Sequence, residues 1–244
     1  MRARDKFIVA VVVVLVAAAS VFAYVSANTA GSAPPANGGT YAEAIVAPVP
    51  PQIFDPLLAS TQAERDVSAL LFTGLTRFDQ RGSIVRDLAA DFAPSDDGRT
   101  WTFTIRADAR WHDGEPVTAG DVVYTVGIAQ DPAYHGPYAG NFAGAKVEAL
   151  DERTARFTLP DVFAPFLEAS TIPLLPSHLL RDVAAGQLAR NAFSAHPVGT
   201  GPFRFDSRDE TRVTLVRNGS FYRGAPDRSR PYLDKVVLRL YPDA

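Results

Sequence analysis

The 244-residue chain contains no cysteine. Disulfide bonds, thiolate metal sites and lipid attachment through a cysteine are therefore excluded. The sequence also lacks the glycine-rich nucleotide loops, the GxSxG turn of serine hydrolases and the HExxH pattern of zinc peptidases. We accordingly predict no cofactor, no metal site and no catalytic residue.

Excess positive charge is absent too. The chain has 24 basic and 27 acidic residues, a net charge of −3. Loss of residues 1–27, which hold three basic residues and one acidic residue, would bring the net charge to −5. A mildly acidic chain lacks the basic surface that nucleic acids require, so we expect no nucleic-acid partner.

Long apolar runs are limited to one, FIVAVVVVLVAAASVFAY at residues 7–24, which follows three basic residues. This layout is typical of a secretory signal peptide. Because the run is close to the ~20 residues that span a bilayer, an uncleaved membrane anchor is an alternative. In both cases the positive residues stay inside, so the rest of the chain lies outside the cytoplasmic membrane. We assign residues 1–27 to this signal or anchor and the small, uncharged residues 28–40 to a disordered tether.

Residues 100–106 show the two-residue period of a strand that buries one face. The apolar members are Trp101, Phe103 and Ile105. Just before them, Asp97-Gly98 predicts a two-residue hairpin turn, which would pair this strand with residues 88–94.

Two helices are indicated by capping boxes, in which a hydroxyl and an acid three residues later satisfy free backbone N–H groups. Thr118 with Asp121 begins one helix, and Thr61 with Glu64 begins another that should end at Gly74. A third helix is expected from residue 176 to about 185. Further strands are expected at residues 41–47, 154–159, 203–205, 213–217 and 235–241. Strands and helices mixed without strict alternation indicate an α+β architecture.

Three stretches of the chain resemble one protein family, in the family's order. They are LFTGLTRFDQRGSIVRD at residues 71–87, WHDGEPVTAGDVVYT at 111–125, and HPVGTGPFRF at 196–205, continued by VTLVRNGSFY at 213–222. The chain is similar here to the extracytoplasmic solute-binding proteins of peptide and nickel ABC importers, family 5. We refer to these stretches as the three signatures.

The resemblance implies a periplasmic-binding-protein-like fold of type II, represented by its first lobe. Lobe I would consist of residues 41–58 together with 175–244, and an inserted sheet-and-helix subdomain would consist of residues 59–174. Family members are usually much longer, so the second lobe is expected to be largely missing from this sequence. The opening strand should lie beside strands from the last 50 or so residues.

The resemblance also implies a function. The protein would be the substrate-binding component of an ABC importer, delivering a peptide or a similar polar solute to ABC permease subunits in the membrane. It would work as an extracytoplasmic monomer by closure of two lobes around the ligand, without chemistry.

Ligand contacts are expected at two loops. In the family, the loop after the first strand touches the ligand, which here corresponds to Pro50, Pro51, Gln52, Ile53 and Phe54. The prolines remove backbone donors, which weighs against a peptide as the ligand. The loop at residues 134–142, YHGPYAGNF, resembles the one whose aromatic residues overhang the cleft, with Tyr138 and Phe142 as candidates; ordinary packing is the alternative for both.

Two other functions remain open at this point. A truncated lobe could be a non-binding or interaction module, because half of the cleft is absent. A hydrolase could be built on the pair His112 and Asp113, with Glu115 nearby. A turn at Asp113-Gly114 explains that cluster without catalysis.

Overall fold

The computed structural model describes residues 15–21, 37–46, 53–223 and 231–242. The chain divides into two units, Met1–Asn37 and Gly38–Ala244. In the first unit, residues 15–21 are helical; the remainder of the signal or anchor prediction lies outside the described residues. Among the described residues, no helix is long and apolar enough to cross a membrane.

The second unit contains strands, α-helices and two 3₁₀ turns. In chain order the described elements are β1 (Thr40–Val46), α1 (Gln62–Leu71), β2 (Thr76–Phe78), β3 (Ile84–Arg86), β4 (Ala89–Pro94), β5 (Thr100–Ile105), α2 (Ala119–Gln130), β6 (Lys146–Ala149), β7 (Thr154–Thr158), α3 (Phe166–Ala169), α4 (Ser177–Leu180), the 3₁₀ turns Ala185–Arg190 and Ala192–Ser194, β8 (Phe203–Arg208), β9 (Arg212–Arg217) and β10 (Lys235–Tyr241).

One four-stranded sheet has the order β1-β10-β9-β8. Strand β1 runs parallel to β10, with Thr40 opposite Lys235 and Val46 opposite Tyr241. The other pairs, β10 with β9 and β9 with β8, are antiparallel. The expected pairing of the opening strand with the end of the chain is therefore confirmed. The division of residues 41–244 into lobe I and an inserted subdomain stays a prediction, since one continuous hydrophobic core includes residues of both larger sheets.

The second four-stranded sheet is antiparallel, with the order β4-β5-β7-β6. The expected pairing of β4 with β5 is confirmed, but the predicted two-residue turn is wrong. Four residues separate Ser95 from Thr100. The Ser95 N–H donates to the Thr100 carbonyl at 2.7 Å and so closes the loop. The Asp97 carboxylate accepts bonds from the Ser95 hydroxyl and the Arg99 N–H, which stabilises the longer loop, and Gly98 takes the positive φ of 68°.

The alternation in β5 is confirmed for two of its three apolar residues. Phe103 and Ile105 are fully buried. Trp101 is only half-buried, at the end of the sheet, where its ring packs against Phe166 at a centroid distance of 5.6 Å. The indole nitrogen of Trp101 is buried and has no hydrogen-bond partner in the described structure.

Both capping boxes are confirmed, with Thr61 and Thr118 as the N-cap residues of α1 and α2. The end of α1 differs from the prediction. The helix stops at Leu71, three residues before Gly74, and Phe72 is extended. The Leu71 carbonyl accepts a hydrogen bond from the Gly201 N–H at 2.8 Å, so a distant turn satisfies the helix end.

The third helix is much shorter than predicted. It covers only Ser177–Leu180, and the chain then turns before the separate 3₁₀ segment Ala185–Arg190. The Tyr124 hydroxyl of α2 donates to the Val183 carbonyl at 2.9 Å. The Val183 carbonyl therefore accepts its hydrogen bond from a distant side chain. This bond favours the end of the helix over its continuation.

Candidate ligand-binding site

The second and third signatures meet at His112. The His112 N–H donates to the Gly199 carbonyl at 2.8 Å, and the Gly199 N–H donates to His112 Nδ1 at 3.0 Å. Because Nδ1 accepts, the ring proton lies on Nε2, which donates to the Gly201 carbonyl at 3.1 Å. Burial of the ring lowers the pKa of His112 to about 4. The imidazole is thus neutral, and both of its nitrogens form hydrogen bonds with the backbone of residues 199–201.

The turn at residues 199–201, Gly-Thr-Gly, lies against the end of α1. A Cβ atom on Gly199 would stand 1.9 Å from the Leu71 carbonyl oxygen, and one on Gly201 would stand 2.5 Å from the Leu70 oxygen. Glycine is required at both positions by this close approach of backbone to backbone. The Thr200 hydroxyl between them is buried.

A buried polar network connects this turn to the first signature. The Thr200 and Thr73 hydroxyls share a hydrogen bond of 2.6 Å, and the Tyr222 hydroxyl lies 3.0 Å from Thr73. Tyr222 donates to Asp87 at 2.8 Å, and Arg223 forms an ion pair with the same carboxylate. Burial raises the pKa of Tyr222, so the phenol stays a donor. All three signatures therefore meet in one hydrogen-bonded cluster that fixes the fold.

Asp121 holds the second signature together. Its Oδ2 accepts from Trp111 Nε1 at 3.2 Å and from the Thr118 N–H at 2.7 Å. Its Oδ1 accepts from the N–H and hydroxyl of Ser177, at 2.8 and 2.6 Å. Each oxygen of this buried carboxylate is satisfied, which makes the residue a structural anchor between α2 and α4.

The two residues on which the hydrolase alternative rested have separate partners in the structure. His112 faces the 199–201 turn, whereas Asp113 bonds to His178, with 2.8 Å between His178 Nε2 and a carboxylate oxygen. Glu115 is exposed. Within the described ranges no group of three or more side chains could hold a metal ion. The geometry gives the hydrolase alternative no support.

The first predicted ligand loop is described only from Ile53 onward; Pro50, Pro51 and Gln52 lie outside the described residues. Ile53 is half-buried. Phe54 is fully buried, with its ring 5.3 Å from that of Phe205 on β8 and the Arg208 guanidinium 5.7 Å above it. Its side chain therefore fastens the loop to the first sheet.

Tyr134, which the sequence analysis did not single out, ties the second predicted ligand loop to Leu57, three residues beyond the first one. The buried Tyr134 hydroxyl donates to the Leu57 carbonyl at 2.7 Å. It also accepts from the Tyr138 N–H at 3.3 Å. A Cβ atom on Gly136 would stand 2.5 Å from the Leu57 oxygen, so the spacing of Tyr134 and Gly136 is the signal that could have indicated this contact.

The two aromatic candidates of the second loop differ in accessibility. Tyr138 is half-buried, its pKa is raised by burial, and its hydroxyl has no hydrogen-bond partner among the described residues. Phe142 is 2% exposed and its ring stacks on Phe157 at 6.0 Å. Tyr138 is therefore the more accessible of the two, whereas Phe142 is packed in the core. Ligand contact by Ile53, Phe54, Tyr138 and Phe142 stays a prediction.

A buried carboxyl, Asp55, directly follows the first loop. One oxygen accepts from the Leu57 N–H at 2.9 Å, and the other has no partner in the described structure. Burial raises the pKa of Asp55 to about 7. The sequence analysis missed this residue because nothing in the DP dipeptide indicates burial.

Comparison with known proteins relates this chain to a family of binding proteins. Residues 83–244 match the family model described as bacterial extracellular solute-binding proteins, family 5 Middle. The chain belongs to this family.

The relatives are longer proteins. A putative ABC transporter peptide-binding protein of Brucella ovis is 36% identical over 168 residues, which are 68% of this chain and 31% of the relative. The oligopeptide-binding protein AppA of Bacillus subtilis is 29% identical over 199 residues, 80% of this chain and 36% of AppA. The chain thus spans about a third of the length of these curated relatives.

Solved structures confirm the α+β, periplasmic-binding-protein-like fold. The crystal structure of B. subtilis AppA with a nonapeptide has a TM-score of 0.76 at 27% identity, over 86% of this chain and 41% of AppA. NikZ from Campylobacter jejuni, in complex with Ni(L-His), has a TM-score of 0.71 at 29% identity, over 83% and 39% of the two chains. Since these two proteins hold different ligands, the shared fold does not determine the ligand of this chain.

Proposed function

We propose that this chain is the N-terminal portion of the substrate-binding component of an ABC importer for peptides or a similar polar solute. The membership in family 5 supports the class, and the names of the Brucella and Bacillus relatives support the peptide. The observation that carries the site is the junction of residues 53–58 with residues 134–142 through the Tyr134 hydroxyl.

Tyr138 is the residue of this junction best suited to meet a ligand. Its ring packs partly against the core, and Tyr138 is the more accessible of the two aromatic candidates. Extended peptides are recognised by hydrogen bonds to their main chain together with pockets for their side chains. The loop backbone beside Tyr138 would supply such a hydrogen bond, and the phenol ring would form part of such a pocket. Ile53 would line the same wall.

One lobe supplies only one wall of a cleft. Favourable sites bury ~70–90% of a small ligand's surface, which a single wall does not reach. Tight binding would require closure of a second lobe over the ligand. We therefore expect this chain by itself to bind peptides weakly, with a Kd above about 100 μM.

The whole protein would act outside the cytoplasmic membrane as a monomer, without enzymatic activity. Residues 1–27 would direct its export and either be removed or hold it at the membrane surface. ABC permease subunits would be its partners there. The alternative is a module that folds but binds nothing.

The test is titration of the ¹⁵N-labelled chain with a mixture of tri- to nonapeptides. We expect chemical-shift changes concentrated at residues 53–58 and 134–142. Tyr138→Ser should weaken binding about fivefold, which corresponds to loss of one hydrogen bond and part of an apolar contact. Tyr241→Ser is the matched control, because Tyr241 is an exposed tyrosine on β10.

Two results would contradict the proposal. If no peptide shifts the signals of either loop, the chain is the non-binding module. Sub-micromolar affinity of the chain alone would show that these loops already enclose a complete site and that the one-wall argument is wrong.

A further inference from the structure

A cavity of about 680 Å³ opens between residues 140–145 and the segment 159–171. Sites for small ligands usually have ~300–1,000 Å³, so this volume suits a molecule with a single ring or a short branched chain. Of the predicted ligand residues that the structure describes, Phe142 lines the cavity, and Ile53, Phe54 and Tyr138 do not. Gly140 and Asn141 of the second ligand loop line it too, so the cavity adjoins the junction described above but does not include Tyr134, Tyr138 or residues 53–58.

The cavity has an apolar floor and apolar walls. Phe142, Leu159 and Phe166 form the floor and are buried in the core. Phe78 and Phe163 on the walls are 50% and 47% exposed, and Val162 is 65% exposed. Large apolar side chains exposed together around a concavity are typical of a binding surface.

The charges at the rim have one sign. Asp161 and Glu168 line the cavity, and no lysine or arginine is among the described residues that line it. Arg99 approaches Asp161 from outside, at 3.6 Å. No basic side chain pairs with Glu168 among the described residues, so its carboxylate remains available to a cation.

We propose that this cavity binds a small amphiphilic cation, an ammonium group joined to an aromatic or branched aliphatic body. The apolar body contacts Phe163 and Phe78, and the ammonium group lies near the Glu168 carboxylate. Aromatic faces also attract a cation, by about 0.5–1 kcal/mol at exposed sites, so the walls and the rim favour the same ligand. This site goes beyond the proposed function, because neither Tyr138 nor residues 53–58 line it.

The test compares three ligands of similar shape on the full chain: 2-phenylethylammonium, 3-phenylpropanoate and 2-phenylethanol. We expect saturable binding of the cation with a Kd of about 1 mM or tighter, and binding of the anion and the alcohol at least about fivefold weaker. Trp101 provides a fluorescence reporter, since its ring lies 5.6 Å from that of Phe166 on the floor.

Substitutions separate the charge from the apolar contact. Glu168→Gln should weaken binding of the cation about fivefold and leave the alcohol unchanged, whereas Phe163→Ser should weaken both. Glu210→Gln is the matched control, because Glu210 is an exposed carboxylate in the turn between β8 and β9. Glu168 and Phe163 are themselves exposed, so neither change should disturb the fold.

Equal affinity for the three ligands would overturn the proposal, and so would an unchanged affinity of the Glu168→Gln variant for the cation. Absence of saturable binding up to about 10 mM would overturn it too, since even weak fragments bind within this range. These outcomes are distinct from failure of the peptide site, because the signals of residues 53–58 and 134–139, none of which line the cavity, report peptide binding separately.

Discussion

The turn at residues 199–201 and the two predicted ligand loops are built differently. Around the turn, His112, Thr200 and the Leu71 carbonyl are all joined by hydrogen bonds within the chain. In the ligand loops, the Tyr138 hydroxyl and one oxygen of Asp55 have no partner among the described residues. The family resemblance comes from the first region, whereas we propose that the second region contacts the ligand. A family can thus be recognised from residues that hold the fold while its ligand stays open.

The same contrast is visible in two buried carboxyl groups. Asp121, in the second signature, receives bonds on both oxygens from the side chains and backbone around it. Asp55, beside the ligand loop, receives one bond on one oxygen. A buried charge is stable only when it is paired or fully hydrogen-bonded. Both oxygens of Asp121 are satisfied in this way, whereas burial raises the pKa of Asp55 to about 7 and holds it neutral over most of the acid range.

The largest expected effect tests the close packing of the signature turn. Gly199→Ala places a Cβ atom 1.9 Å from the Leu71 carbonyl oxygen, so backbone must move. We expect a loss of more than about 4 kcal/mol in the free energy of unfolding, or failure to fold. Gly127→Ala is the control, because Gly127 is an exposed glycine in α2 whose Cβ would meet nothing within 4 Å. That change should stabilise the protein by about 1 kcal/mol through helix propensity.

Urea unfolding of both variants measures this difference. Similar stabilities for Gly199→Ala and the unsubstituted chain would mean that the turn can withdraw from α1, and that the signature does not depend on close approach.

Asp55 carries the second prediction, on pH. Since burial raises its pKa from 3.8 to about 7, the folded state binds a proton that the unfolded state releases between pH 4 and 7. Stability should therefore fall as pH rises through this window, by up to about 4 kcal/mol at ~1.36 kcal/mol per pKa unit. Asp55→Asn, which cannot ionise, should resemble the unsubstituted chain near pH 4 and be more stable at pH 8.

Denaturant midpoints at pH 4, 6 and 8 decide this point. A variant that is less stable than the unsubstituted chain at pH 8 would show that Asp55 gains a partner when ionised, and that the free oxygen is not an energetic cost.

His112 should show the opposite dependence. Its pKa is lowered from 6.5 to about 4, so the unfolded state takes up a proton first as pH falls. Stability is then lost between pH 6.5 and 4, by up to about 3 kcal/mol. The chain with Asp55→Asn isolates this effect, and adding His112→Gln should remove the slope while lowering stability at pH 7. Persistence of the slope in the double variant would assign it to another group.

The sequence indicates the local structure well where the signal is local. The capping boxes at Thr61 and Thr118 and the pairing of β4 with β5 need only neighbouring residues, and all three are confirmed. The errors arise where distant residues intervene. The Gly201 N–H donates to the Leu71 carbonyl, so α1 ends before the predicted Gly74. The Tyr124 hydroxyl donates to the Val183 carbonyl just beyond α4. No local pattern contains these contacts.

The candidate site is less accessible to sequence reasoning for a related reason. An aromatic residue in a loop can face a cleft or complete a core, and the choice depends on the neighbouring element. Phe54 meets Phe205 from β8, and Phe142 meets Phe157 from β7, so both are buried. Tyr134 was overlooked because its partner, the Leu57 carbonyl, is a distant backbone atom, and the nearby Gly136 was the one local sign of that close approach.

The two tryptophans give the smallest and sharpest test of the comparison. Trp111, in the second signature, is 2% exposed and its Nε1–H donates to Asp121 at 3.2 Å. Trp111→Phe leaves a cavity and removes one donor from a buried carboxylate, which should cost about 2–3 kcal/mol. Trp101→Phe removes an N–H group that has no partner in the described structure, so we expect a change within about 1 kcal/mol of zero.

Thermal or urea unfolding of the two variants side by side measures the difference, and each variant keeps one indole as its fluorescence signal. Equal losses would show that the Trp111–Asp121 bond adds nothing beyond packing, and that the signature region owes its stability to apolar contacts alone.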